Sequence, residues 1–244
     1  MSGTDIKQII IGVITCPRYA YKVKGIQDTW LKSVPPNIRV VFVYGRPGQK
    51  ASLEGDRLFL DCPETYEGLP QKMHNFFQFC VRNFEFDYLL KIDDDSYVDI
   101  GKLLAFDLRD RDYIGLFRGM GDERVTRTWH YGKCTDKSLE VPYEGKYIAD
   151  WARGGGYILS RRAIEILALK TAESHKEHMF EDKMVGDALA TESTITKLHA
   201  DCVKFGVINP MLPQNMRYVH NLVLALKRAL ASSKPKSGVK TPGL

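Results

Sequence analysis

Strand-like and helix-like runs alternate along the first hundred residues, and this order limits the possible folds more than any other feature of the chain. The apolar, β-branched runs of strand length cover residues 8–16, 39–45, 57–62 and 87–92, and the amphipathic, helix-like runs cover residues 22–34 and 69–84. A repeated order of strand, loop and helix is typical of an α/β sandwich with a largely parallel sheet. Such a sheet binds its ligands beyond the carboxyl ends of the strands.

The second half of the chain has a different pattern. Residues 109–141 are polar and aromatic, with strand candidates at 112–119 and 127–134, so we expect a smaller mixed sheet and loops there. Residues 153–169 predict a glycine-rich turn, a strand and a helix. Another helix is expected to begin at or just after Glu181, because carboxylates favour the positive N-terminal end of a helix.

Composition and charge limit the functional classes. The chain has 244 residues, of which 44% are hydrophobic and 27% charged, so it can bury one sizeable core. Its formal net charge of +5 equals the five basic residues from Lys227 onward, where no acidic residue occurs. The rest of the chain is near neutral, which argues against nucleic-acid binding. We expect one domain over residues 1–231 and a basic, disordered tail over residues 232–244.

Two further patterns bear on the location of the protein. No run of about 18 apolar residues predicts a transmembrane segment, and the N-terminal residues lack the pattern of a signal peptide. The five cysteines include no C-x-x-C pair, so neither a zinc site nor a thioredoxin-type motif is indicated. Free thiols in the cytoplasm are the simplest interpretation, and one or two disulfides are the alternative in a secretory protein.

Three adjacent aspartates, Asp93, Asp94 and Asp95, follow the apolar run "YLLKI" at the end of an expected buried strand. Adjacent carboxylates repel one another, so they need a shared cation, a bound proton or contact with water. Alternate side chains of a strand point to the same side, so we expect Asp93 and Asp95 to converge and Asp94 to point elsewhere. Oxygen ligands of this kind suit Mg²⁺ or Mn²⁺, and a solvated acidic turn is the alternative.

Two more segments carry residue types that are common in ligand sites. Gly154, Gly155 and Gly156 stand before a strand-like run, where glycine lets the backbone approach a ligand closely. Glu181 and Asp182 stand at an expected helix start, and an ordinary acidic N-terminus is the alternative for them. Neither segment indicates a function alone. The order of the aspartates, the glycines and the acidic pair along the chain is more informative than any one of them.

Four segments in this order resemble the fringe and β1,3-galactosyltransferase family, which is glycosyltransferase family 31. They are "GIQDTW", "KIDDDSYV", "RGGGYILSR" and "EDKMVG", and the resemblance extends from about Ile9 to His220. It implies an α/β fold of GT-A type, a Rossmann-like nucleotide-sugar-binding sandwich with a smaller second sheet. It also implies Mn²⁺- or Mg²⁺-dependent, inverting transfer of galactose, N-acetylglucosamine, xylose or glucose from a UDP-sugar to a glycan or glycoprotein acceptor.

The resemblance also assigns roles to individual residues. Asp182 matches the general base of the family, and Glu181 is the second candidate. The metal ligands that it implies are Asp93, Asp95 and His220, the last preferred to His199. The residues that we expect to bind the donor are Thr15, Tyr19, Lys72, Asp93, Asp94, Gly154, Gly155 and Gly156.

Other side chains are weaker candidates. Trp129 and Trp151 are expected to stack on the acceptor sugar, and core packing is the alternative for each of them. Lys72 and Arg153 have the charge needed to neutralise a phosphate, and an exposed cation without a ligand is the alternative.

The sequence departs from the family pattern at several positions. Lys22 or Lys24, together with Gln27, stand where the family has arginines, and Lys183 stands where it usually has valine. Golgi members of the family begin with a membrane anchor, so we expect a cytoplasmic enzyme, in a host cell if the source is viral, and a Golgi enzyme only if an anchor preceded this chain. The rival functions are a catalytically inactive glycan- or nucleotide-binding module and a metal-dependent phosphohydrolase.

Overall fold

The structure is a computed structural model that describes residues 7–119, 126–145 and 149–232. The strands are β1 (Ile9–Ile14), β2 (Ile38–Gly45), β3 (Ser52–Glu54), β4 (Arg57–Leu60), β5 (Tyr88–Asp93), β6 (Tyr97–Val98), β7 (Tyr113–Arg118), β8 (Trp151–Ser160), β9 (Lys197–His199) and β10 (Val207–Ile208). The helices are α1 (Ala20–Asp28), α2 (Leu69–Asn83), α3 (Ile100–Ala105), α4 (Arg161–Ser174), α5 (Glu181–Ala190) and α6 (Pro213–Ser232).

Eight strands form one mixed sheet in the order β3-β4-β2-β1-β5-β8-β7-β9. The central strand β1 pairs in parallel with β2 and β5, and Ile14 is in register with Asp93. The carboxyl ends of β1, β2 and β5 therefore meet at one edge of the sheet. β8 runs antiparallel to β5 and β7, and Gly156 is in register with Ile92, so the Gly154–Gly156 segment lies at the end of β5.

The sheet has a hydrophobic core on each face because the side chains of β1 alternate in direction. Ile10 and Ile14 pack with buried residues of α2, α4 and α5. Ile9, Ile11 and Val13 pack on the other face, with buried residues of α1, α3 and α6. The sheet with helices on both faces forms a three-layer α/β sandwich, which confirms the predicted fold class.

Most of the expected elements of the sheet are confirmed. The strands predicted at 8–16, 39–45, 57–62 and 87–92 are β1, β2, β4 and β5, and the helix predicted at 69–84 is α2. The helix predicted near Glu181 is α5, which begins at that residue. The short strands β3, β6, β9 and β10 and the helices α3 and α6 were not predicted.

The helix predicted over residues 22–34 is shorter than expected. α1 ends at Asp28, and a short 3₁₀ turn covers Trp30–Ser33. Thr29 leaves the helical conformation with φ −119° and ψ −111°, and its hydroxyl donates to the carbonyl of Gly25. The indole N–H of Trp30 donates to the carbonyl of Ser96 at 3.1 Å. This tertiary bond fixes Trp30 outside the helix, which sequence periodicity alone does not show.

The strand predicted over residues 127–134 is wrong, because this segment forms turns. The ring Nε2 of His130 lies 2.9 Å from the carbonyl of Leu139 and 3.0 Å from that of Val141, so the segment folds back on itself. The strand predicted at 112–119 is confirmed as β7, but it joins the main sheet. The smaller second sheet consists instead of β6 and β10, which pair antiparallel.

The glycine-rich turn predicted before the strand at residue 157 is also wrong. Gly154, Gly155 and Gly156 all lie within β8. The last helix, α6, extends to Ser232, so residue 232 is helical and the rest of the predicted tail, residues 233–244, lies outside the described residues. Among residues 7–119, 126–145 and 149–232, none of the helices combines the length and the apolar composition of a membrane span.

We predict that Gly12→Ala lowers the free energy of unfolding of the protein by about 1–3 kcal/mol, because the added methyl group overpacks the core. A Cβ atom at Gly12 would lie 2.4 Å from Cε1 of Phe76 on α2. Urea denaturation measures the change. The control is the double variant Gly12→Ala with Phe76→Leu. Its loss of unfolding free energy should be smaller than the sum of the losses in the two single variants. Strict additivity would show that Phe76 is not the obstructing group.

Candidate active site

Three segments that are far apart in the sequence meet at the carboxyl edge of the central strands, and Lys91 joins them. Its ammonium group donates to Asp93 Oδ1 at 2.8 Å, to the carbonyl of Gly154 at 2.6 Å and to Glu181 Oε1. The Lys91 side chain is only 1% exposed. Burial would lower the pKa of Lys91, but the charges of Asp93 and Glu181 outweigh it and raise the pKa, so the lysine stays charged.

The three aspartates do not share one partner. Asp93 pairs with Lys91, whereas the ammonium of Lys22 on α1 lies 3.0 Å from Asp94 Oδ1 and 3.0 Å from Asp95 Oδ2. The expected separation of Asp94 from Asp95 is therefore wrong, because these two carboxylates share the Lys22 ammonium. β5 ends at Asp93 and the chain turns there, since the N–H of Ser96 donates to the Asp93 carbonyl, so strand alternation no longer applies.

Asp94 is the buried member of the three. Its Oδ2 accepts from the hydroxyl of Thr15 at 2.8 Å, and its Oδ1 accepts from Lys22. Burial raises the pKa of Asp94, and the hydrogen bond from Lys22 opposes that shift. Thr15, an expected donor-binding residue, thus contacts the aspartate cluster directly, and the ring of Tyr19 lies 4.2 Å from the Lys22 ammonium.

Asn209 also contacts the aspartate cluster, and the sequence did not predict this contact. Its amide nitrogen donates to Asp95 Oδ1 at 2.7 Å and to the hydroxyl of Ser96 at 3.0 Å. Its side chain packs over Gly155, where an added Cβ atom would lie 2.3 Å from Asn209 Oδ1. The segment "VINP" carries no motif that would have indicated this role.

The three glycines of β8 allow other segments to approach the strand closely. A Cβ atom at Gly154 would lie 3.1 Å from Glu181 Oε1, and one at Gly156 would lie 3.1 Å from Val207. With Gly155 against Asn209, each glycine faces a different neighbour. Their absent side chains make room for α5 and for the segment around β10, and both of these neighbours contribute polar groups to the site.

Asp182 and Glu181 stand in the first turn of α5 but have different environments. Asp182 is half-buried, and its carboxylate accepts from the N–H groups of Gly154 at 3.0 Å and Lys183 at 2.8 Å. Burial raises the pKa of Asp182, and the charge of Lys91 and the two N–H groups oppose the shift. A partly exposed carboxylate with a raised pKa suits a proton acceptor.

Glu181 is buried and bound to Lys91. Burial raises its pKa to about 8, although the charge of Lys91 opposes the shift. Its Oε2 atom is buried and has no hydrogen-bond partner within the described structure. Glu181 therefore accepts a hydrogen bond from Lys91 inside the protein, whereas Asp182 accepts from the backbone of Gly154 and is less buried.

The residues that could hold a divalent cation are the two more exposed aspartates. The exposed fractions of the Asp93 and Asp95 side chains are 42% and 27%. No group of three His, Cys, Asp or Glu residues within residues 7–119, 126–145 and 149–232 is close enough to hold a metal. Mg²⁺ and Mn²⁺ fit such a site nonetheless, because they take one or two carboxylates and complete their coordination with phosphate and water.

Neither expected histidine ligand lies with these aspartates. His220 is on α6, and its Nδ1 lies 3.2 Å from the hydroxyl of Tyr97. It lines a small cavity together with Trp30 and Lys227. His199 is on the edge strand β9, with its ring beside Phe117. The predicted role of His220 as a metal ligand therefore has no support from its position.

Lys72 is buried rather than exposed. Its ammonium pairs with Glu64 and donates to the carbonyl of Thr15 at 3.0 Å. Both of its expected roles, an exposed cation and a phosphate ligand, conflict with this burial, because its charge is already paired inside the protein. Lys72 instead supports the loop that follows β1.

The two expected acceptor residues have different positions. Trp129 is 60% exposed, and the ammonium of Lys133 lies 3.7 Å from the centre of its ring and 5.4 Å from that of Tyr66. Trp151 is only 8% exposed and its Cβ packs against Gly186, so core packing explains it. Burial lowers the pKa of Lys133, while the nearby charge of Asp182 opposes the shift.

The family model described as Galactosyltransferase matches residues 24–201. The chain belongs to the galactosyltransferase family. The matched span includes the three aspartates, the glycines of β8 and the start of α5, so the family resemblance expected from the sequence motifs is confirmed.

The family match is supported by individual relatives. The chain is 31% identical over 140 residues to UDP-GalNAc:beta-1,3-N-acetylgalactosaminyltransferase 2 of Danio rerio, covering 57% of this chain and 27% of that protein. It is 28% identical over 138 residues to the Homo sapiens protein of the same name, with the same two coverages, 57% and 27%. It is 28% identical over 200 residues to Beta-1,3-galactosyltransferase 6 of Mus musculus, covering 73% of this chain and 58% of that protein. The chain thus spans less than two thirds of each of these relatives.

We predict that the contribution of Glu181 to the stability of the protein falls as pH rises. Its pKa rises from an ordinary value of 4.5 to about 8 in the folded state. At this carboxyl the folded state therefore binds more protons than the unfolded state between these values, and its contribution to stability decreases from about pH 4.5 to about pH 8. Glu181→Gln should remove this contribution, so the slope of stability against pH should differ from that of the wild type in urea denaturation at several pH values.

The matched control for this prediction is Glu85→Gln, because the Glu85 side chain is 96% exposed. This variant should keep the pH dependence of the wild type. An unchanged slope in Glu181→Gln would mean that Glu181 is ionised in the folded protein and that Lys91 fully compensates its burial.

Proposed function

We propose that this protein is a metal-dependent, inverting glycosyltransferase that moves a sugar from a UDP-sugar to a hydroxyl of a glycan acceptor and forms a β-linkage. The observation that carries the proposal is the position of Asp182. Its half-buried carboxylate accepts from the N–H of Gly154, whose carbonyl accepts from Lys91, within a chain of the galactosyltransferase family. An inverting transfer needs one base at such a place.

Asp182 is proposed as the base that accepts the proton of the acceptor hydroxyl as its oxygen attacks the anomeric carbon. The N–H groups of Gly154 and Lys183 fix the orientation of the carboxylate, and burial raises its pKa. A carboxylate with a raised pKa is a stronger base at neutral pH than an ordinary aspartate. Glu181 is a poorer candidate for the base, because its carboxyl group is buried and bonded to Lys91.

Asp93 and Asp95 are proposed to hold the divalent cation, which when bound supplies Lewis-acid stabilisation to the departing diphosphate. Lys91 orients Asp93, and Asn209 orients Asp95. An amide can also present its oxygen where it now presents its nitrogen, so Asn209 is a better candidate than His220 for a further ligand.

The donor is proposed to lie along the loop after β1 and the Gly154–Gly156 segment of β8. Thr15 and Tyr19 adjoin the aspartate cluster through Asp94 and Lys22. The names of the relatives mention a UDP-GalNAc donor, galactosyl transfer and β-1,3 linkages, and these support a galactose-type donor and a β-1,3 product for this chain.

The acceptor is proposed to lie against Trp129. Its exposed ring, with Tyr66 nearby, provides the apolar surface on which sugar rings stack. The loop that carries Trp129 is anchored to the start of α2, because Glu67 accepts from the N–H groups of Thr135 and Asp136. A fixed loop suits an acceptor site, since it does not have to become ordered when the sugar binds.

We predict that Asp182→Asn keeps donor binding but loses transfer by a factor of at least about 100. The amide keeps an oxygen for the Gly154 N–H but cannot accept the proton. Transfer to a panel of glycosides and slow hydrolysis of the UDP-sugar measure the chemical step. Calorimetry with UDP and Mn²⁺ measures donor binding.

The matched control is Asp107→Asn, which removes an exposed carboxylate that pairs with Arg109. It should leave both transfer and binding unchanged. Retained transfer in Asp182→Asn would show that another group is the base. Binding of UDP with no transfer or hydrolysis by the wild type would favour a catalytically inactive nucleotide-binding module.

A further inference from the structure

The ammonium of Lys22 occupies the space between two of the three aspartates. It lies 3.0 Å from Asp94 Oδ1 and 3.0 Å from Asp95 Oδ2, and its side chain is 15% exposed. It comes from α1, which is about seventy residues earlier in the chain. The protein therefore has its own cation within the aspartate cluster.

This position conflicts with simple metal binding at Asp95. A divalent cation on the same carboxylate would lie within a few ångströms of the Lys22 ammonium, and like charges at that distance repel strongly in a partly buried site. The same carboxylate oxygen also cannot give its full charge to both cations. One of the two must move.

The two aspartates hold Lys22 differently, which indicates how it moves. Asp94 is 6% exposed and is fixed by the hydroxyl of Thr15. Asp95 is 27% exposed, and its other oxygen accepts from Asn209. Lys22 can therefore leave Asp95 while its bond to Asp94 persists. The ring of Tyr19, 4.2 Å from the ammonium, lies beside it.

We propose that Lys22 is a resident counter-ion that must leave Asp95 before a divalent cation binds there, so that the cation binds weakly alone and tightly with a nucleotide diphosphate. The diphosphate gives the displaced ammonium a new anionic partner next to Asp94. Lys22 is then a positioning residue that couples metal binding to donor binding. This inference rests on the proposed metal site at Asp93 and Asp95.

The test measures Mn²⁺ affinity by electron paramagnetic resonance of free Mn²⁺, without and with UDP, after correction for the Mn²⁺ that the same concentration of UDP binds without protein. In the wild type, UDP should tighten Mn²⁺ binding by about tenfold or more. Lys22→Gln should tighten binding of Mn²⁺ alone by about tenfold and reduce the effect of UDP. The matched control is Lys24→Gln, which removes a lysine of the same helix that pairs with Asp28 and should behave as wild type.

A second variant keeps the inference testable if Lys22→Gln does not fold, as circular dichroism would show. Lys22→Arg keeps the charge and can bind carboxylates with two N–H groups, so it should weaken binding of Mn²⁺ alone below that of the wild type. The inference is wrong if either folded variant leaves the affinity for Mn²⁺ alone unchanged or shifts it in the opposite direction. Failure of the wild type to bind Mn²⁺ even with UDP would instead overturn the proposed metal site.

Discussion

The buried ammonium of Lys91 is the interaction on which the candidate site depends. It bonds to the end of β5, to the backbone of β8 and to the first residue of α5, and so it fixes three segments in one place. A buried charge is tolerated only when several partners compensate it. Removal of Lys91 would leave Asp93 and Glu181 without their shared hydrogen-bond donor and would remove one of the bonds that join α5 to the strand edge.

Lysines of the protein itself also relieve the repulsion within the aspartate cluster. Lys91 compensates Asp93, and Lys22 compensates Asp94 and Asp95. The cluster can therefore form in the folded chain before any ligand arrives. In the proposed enzyme, two lysines partly neutralise the three aspartates before any ligand binds, so binding of the metal and the diphosphate rearranges these ion pairs.

The sequence predicted the sheet well because each central strand is an apolar run of characteristic length, with the turn residues that end it. The acidic and glycine residues of the candidate site were selected from the sequence because they occur together in short motifs. Lys22 and Asn209 were not predicted as site residues. They contact Asp95 across 73 and 114 residues of sequence, and only the fold shows such contacts. Trp151 and Lys72 were overestimated because sequence does not distinguish a buried side chain from one at a site.

The proposed metal-dependent binding of a UDP-sugar is tested most directly by thermal denaturation of the wild-type protein with a panel of UDP-sugars and Mn²⁺. A nucleotide sugar that binds only the folded state raises the melting temperature, and the rise increases with the logarithm of the ligand concentration relative to its Kd. We expect a rise with at least one UDP-sugar, and this rise should be lost when Mn²⁺ is removed and in Asp95→Ala. The absence of any rise with every UDP-sugar in the panel, with Mn²⁺ present, would contradict the proposed binding.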